Sequence, residues 1–97
     1  MNHGYDDPRL ATRTWLETFS PVIVRDLRHR EACFVQIAYA HPRLGTTGII
    51  SAVWQAMDGA WCAARFLCEE GDVPPLAGVP AWLAREMAEL VLEVGRA

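Results

Sequence analysis

VIVRDLRHREACFVQIAYA, residues 22 to 40, decides the fold, because two periodicities compete in it. Taken as one long helix, it places Ile23, Leu27, Phe34, Ile37 and Ala38 on a single face. Helix is favoured by Ser20-Pro21, a cap followed by proline at the first helical position, and by His41-Pro42, a natural stop. No Gly, Asn or internal Pro marks a turn within it. Taken as two strands turning near Arg28-His29-Arg30, it alternates Cys33, Val35, Ile37 and Tyr39 with Phe34, Gln36, Ala38 and Ala40, and opens on β-branched Val22-Ile23-Val24. Helix is the preferred expectation and the hairpin its alternative.

On the N-terminal side, residues 1 to 6 carry no periodicity and are expected to be a flexible start. Asp7-Pro8 then begins a short helix to Thr18 with the stripe Ala11, Trp15 and Phe19, Leu16 beside it. On the C-terminal side, Thr46 or Thr47 caps an apolar run reaching Glu70, where Gly71 offers a left-handed stop. Drawn as a helix, that run confines Ser51, Gln55, Asp58, Cys62, Arg65 and Glu69 to a polar strip about 80° wide. One flank is then bulky (Ile49, Ile50, Val53, Trp54, Met57, Trp61, Leu67, Cys68) and the other small (Ala52, Ala56, Gly59, Ala63). Pro74-Pro75 stiffens a connection, and Pro80 opens a last helix that Gly95 closes. Leu83, Met87, Leu90, Val91 and Val94 face inward there; Arg85, Glu86, Glu89 and Glu93 face outward, with Trp82 among those charges. The expected fold is all-α, a small bundle of about four helices forming one domain over 7–97; the alternative is α+β with a hairpin in 22–40.

At 97 residues and 52% apolar, with only 22% charged, the chain is neither disordered nor fibrous. A chain this short buries only roughly 65% of its extended surface, so four Trp, three Phe and two Tyr exceed one monomer's core and predict a homodimer or another protein partner. Nine Arg, no Lys and twelve acids leave −3, without the basic excess of a general nucleic-acid binder; the missing Lys fits a GC-rich bacterial genome. Charge is uneven: residues 1–45 hold six Arg against five acids, and residues 46–97 three against seven. Cys33, Cys62 and Cys68 form no CxxC pair and no signal segment is evident, so reduced thiols and a cytoplasmic location are expected. The longest charge-free stretch, Leu44 to Met57, is 14 residues, too short to span a membrane.

Chemistry-bearing groups are sparse. His3, His29 and His41 belong to no HExxH, and neither GxSxG nor a phosphate-cradling glycine loop occurs. His29 and Cys33 would share a helical face, but two ligands do not hold a structural metal. Glu86, Glu89 and Glu93 read as a solvated helix face. No enzymatic activity, cofactor or metal is expected. Arg25, Arg28, His29 and Arg30 form the one basic cluster, with Asp26 and Glu31 inside it; a solvated face, or a patch for an acidic protein, fits better than DNA.

The segment GIISAVWQAMDGAWCAARFLCEEGD from Gly48, with AWLAREMAELVLEV after it, resembles the small quorum-sensing anti-activators of pseudomonads in overall character, over about half the chain. That resemblance implies a short, helical, self-associating regulator that binds a LuxR-type transcription activator and blocks its dimerisation or DNA binding. It carries no diagnostic motif, so no residue role transfers with it. The expected function is inhibition of a partner protein through an apolar Trp-rich helix surface, with Ile50, Val53, Trp54, Met57, Trp61 and Trp82 as partner- or self-interface. The alternatives are a dimeric DNA-binding module, or a helical antitoxin, immunity protein or phage-borne inhibitor.

Overall fold

A computed structural model describes residues 22–41 and 47–96. Four strands, β1 (Val22–His29), β2 (Ala32–Ala40), β3 (Gly48–Ala56) and β4 (Trp61–Cys68), form one antiparallel sheet in the order β1-β2-β3-β4. A 3-10 turn at Glu69–Gly71 follows, then an extended connection, then the helix α1 (Ala81–Arg96). The described fold is α+β. The expected all-α bundle is wrong, and the hairpin alternative for 22–40 is right, with its turn at Arg30-Glu31. The short helix expected over 8–18 and the flexible start lie outside the described residues.

The register shows how the third expected helix misled. Two rows, Ile23-Tyr39-Ile50-Phe66 and Leu27-Val35-Trp54-Cys62, run across all four strands on one face. With Ile37, Ala52 and Cys68 they pack against Leu83, Met87, Leu90, Val91 and Val94 of α1. The opposite face carries the rows Val22-Ala40-Ile49-Leu67 and Val24-Ala38-Ser51-Arg65. β3 is buried on both faces along most of its length, so its sequence does not alternate and its continuous apolar run imitates a helix.

Local chemistry sets the turns. Between β3 and β4, Gly59 adopts φ +93°, the Gly59 amide donates to the Ala56 carbonyl at 2.9 Å, and the Ala60 amide donates to Asp58 Oδ1 at 3.0 Å. Between β1 and β2, the Glu31 amide donates to His29 Nδ1 at 3.2 Å. The helix begins after Pro80, as its sequence predicts, and all five residues expected to face inward are buried. Among the described residues no helix is long and apolar enough to cross a membrane.

Candidate functional site

The structure disperses the six residues expected to form one interface. Ile50 and Trp54 lie in the core beneath α1, and Val53 is buried on the opposite face. Met57 sits in the β3–β4 turn, 66% exposed. Trp61, half-buried, lies on the second face, its ring edge-on to Phe34 with centroids 5.6 Å apart. Trp82 is half-buried in the first turn of α1 and stacks on His29. The six residues share no common surface.

The basic cluster divides as well, because consecutive strand residues point to opposite faces. Arg25 turns toward α1 and donates to Glu93 Oε1 at 2.6 Å. That hydrogen bond, and the charges of Glu93 and Glu86, raise the Arg25 pKa above its ordinary value against an opposing desolvation. His29 also lies on the α1 side. Arg28, by alternation, shares the second face with Asp26, and Arg30 projects from the turn. Helical spacing was the only reason to pair His29 with Cys33, and the strands undo it. No group of three or more metal-ligating side chains occurs among the described residues.

One coherent surface emerges where the β1–β2 hairpin ends. A depression of about 770 Å³ is lined by Asp26, Arg28, Arg30, Cys33, Phe34 and Gln36, with the Phe34–Trp61 pair on its β4 side. Its framework is fixed by side-chain hydrogen bonds. Gln36 Nε2 donates to Asp26 Oδ1 at 2.8 Å, Cys33 Sγ donates to Gln55 Oε1 at 3.2 Å, and Gln55 Nε2 donates to the Gly59 carbonyl at 3.2 Å. Against this fixed framework, Arg28 and Arg30 are exposed and engage no other described side chain. Two uncommitted guanidinium groups beside two partly buried aromatic rings form the side-chain combination enriched where proteins bind proteins. Phe34 and Gln55 were missed in the sequence; the alternation over 33–40 was the signal that places Phe34 on this face.

Elsewhere the titratable groups are structural. Burial pushes the Cys68 thiol up to about 11, outweighing its hydrogen bond with the Ile50 backbone, and burial likewise raises the Tyr39 phenol. Both keep their protons at neutral pH.

Compared with known proteins, the chain matches no family model, no curated protein and no solved structure.

Proposed function

We propose that this protein is a small stoichiometric binding protein, of the inhibitor, antitoxin or immunity kind, that docks an acidic surface of a partner protein at the end of its β1–β2 hairpin. The supporting observation is the pair Arg28 and Arg30, which engage no other described side chain, beside the Phe34–Trp61 pair on a hydrogen-bonded framework. The hydrogen-bonded residues beneath need little further ordering on binding, so the ordering cost falls mainly on the two arginines and is offset by their charge pairing with the acidic partner. Such a contact buries on the order of 800 Å² per partner. The resemblance to LuxR-binding anti-activators drew in part on helical character over residues 48–70, which hold β3 and β4, so the partner is named here by its chemistry. The three free cysteines support action in a reducing cytoplasm. Exposed Val24 and Leu67 support self-association.

The test compares tagged wild type with Arg28→Glu, Trp61→Asp and, as a control on the exposed side of α1 and remote from the patch, Leu92→Asp, each checked for native circular dichroism. Proteins captured from the native lysate are identified by mass spectrometry, and each complex is sized by light scattering. The expected result is one acidic protein, held in fixed stoichiometry by wild type and Leu92→Asp and lost from the other two. Equal capture by all four, or capture of nothing, overturns the proposal. Arginines beside aromatic rings on a sheet also suit single-stranded nucleic acid, so a labelled oligonucleotide at low salt belongs in the same experiment. The net charge of −3 argues against that outcome.

A further inference from the structure

β4 ends the described sheet: β3 pairs with it on one side, and no described strand pairs with it on the other. The turn before it sets the phase of its hydrogen bonds. The Ala56 amide donates to the Ala60 carbonyl at 2.9 Å, which makes Ala56 and Ala60 a hydrogen-bonded pair. Such pairs alternate along an antiparallel ladder, so Cys62, Ala64, Phe66 and Cys68 turn their main-chain groups toward β3. Trp61, Ala63, Arg65 and Leu67 therefore turn both N–H and C=O outward, to the edge.

Natural sheets guard such edges with charges and bulges. The opposite edge is guarded in this way: β1 carries Arg25, Asp26 and Arg28, and its register with β2 shifts between Leu27 and His29. β4 is not. Its sequence, WCAARFLC, holds one charge, its register with β3 runs without a shift, and Ala63 and Leu67 are exposed, Leu67 by 65%.

We propose that this edge pairs with the same edge of a second copy, antiparallel about a two-fold axis at Ala64, joining the two four-stranded sheets into one. The strand's own sequence argues for a second copy as the occupant. With Ala64 on the axis, Trp61 faces the partner's Leu67 and Ala63 faces the partner's Arg65, so every outward residue exchanges both of its hydrogen bonds. A shift of two residues either way leaves one of them outside the pairing, and one of those shifts sets Arg65 against the partner's Arg65. In the central register the exposed Leu67 gains an indole beside it, and each arginine stands opposite an alanine. On the α1 side, Phe66 meets the partner's Cys62, which prolongs the apolar row Ile23-Tyr39-Ile50-Phe66. α1 lies over β2 and β3, so the two helices leave the junction clear. Trp61 and Arg65 also interact within their own chain, and the pairing uses only their main-chain groups. This edge gives the self-association read above its surface, and the docking of another protein at the β1–β2 hairpin does not enter it.

The test uses the purified full chain, sized by light scattering over a dilution series. Wild type is expected to be a dimer. Ala63→Pro is expected to be a monomer with native circular dichroism, because proline there removes an amide that points to the edge and none that bonds β3. Val24→Lys, on the opposite edge, should remain a dimer. Disulfide formation in a Cys33→Ser, Cys62→Ala background reads the register. Ala64→Cys is expected to give a disulfide-linked dimer under mild oxidation, since facing residues of a non-hydrogen-bonded pair stand about 4.5 Å apart between Cα atoms, within disulfide reach. Leu67→Cys, more exposed but about 20 Å from its counterpart, should not. A monomeric wild type overturns the proposal together with the self-association reading. A dimer that survives Ala63→Pro, that is lost in Val24→Lys, or that links through Leu67→Cys as readily as through Ala64→Cys overturns the β4 edge alone. The cross-links decide the matter even if Ala63→Pro fails to fold.

Discussion

The His29 imidazole lies flat on the Trp82 indole, with ring centroids 3.8 Å apart and planes 7° from parallel. The contact joins the last residue of β1 to the first turn of α1. It also holds in place the histidine whose Nδ1 accepts from Glu31 in the adjoining turn.

If the stack contributes beyond the area it buries, a double-mutant cycle of His29→Ala and Trp82→Ala, followed by chemical denaturation, gives a coupling of about 0.5–1.5 kcal/mol. Purely additive losses would show that the rings merely share a neighbourhood.

Ile50 and Met57 stood side by side on the bulky flank of the expected helix, and the sheet separates them. Ile50→Ala is expected to cost about 2–5 kcal/mol, because it empties space beneath α1. Met57→Ala should stay within about 0.5 kcal/mol, its side chain lying in an exposed turn. Equilibrium denaturation of the two variants checks both.

The three thiols should react in the order of their exposure. Cys33 is exposed, Cys62 half-buried and Cys68 buried, so a thiol reagent on native protein should modify Cys33 first and reach Cys68 only after denaturant. Because folding raises the Cys68 pKa from its ordinary 9.0 to about 11, the folded state holds the proton more tightly. Stability is then indifferent to this group below about pH 9 and falls as pH rises from about 9 to about 11, with Tyr39 acting in the same direction. Denaturation midpoints at about pH 8 and about pH 11 measure the loss.

Gly59 occupies the left-handed region with open space where a Cβ would stand, so Gly59→Ala meets backbone strain and no clash. A loss of about 1–2 kcal/mol is expected in thermal denaturation. Gly59→Asn should lose less, since asparagine tolerates that conformation.

The last helix was legible because its five buried positions follow one helical face and its outer face is charged. β3 was not, because strands covered on both sides lose the alternation that identifies them. A usable signal did exist there: Asp58-Gly59 between two apolar stretches is a strong hairpin mark, and it was absorbed into the helical wheel. In 22–40 the alternation was visible, yet a turn at Arg30-Glu31, without Gly, Asn or Pro, gave it no punctuation. The candidate site was half legible. Its arginines stood out as a cluster, but the meeting of Phe34 with Trp61 depends on the register across β2, β3 and β4, which no local pattern encodes.

The consecutive strand order also bears on how the chain reaches its native state. Each strand pairs with the next in sequence, so three hairpins can zip locally, on a timescale of about 1–10 μs each, before any distant parts must meet. Among the described elements only α1, returning over β2 and β3, closes a long stretch of chain. A strand slipped by one residue would present its outward side chains to Leu83, Met87 and Leu90. Docking of the helix is therefore the step at which a misregistered sheet is rejected, making α1 a kinetic proofreader of the hairpins as well as their cover.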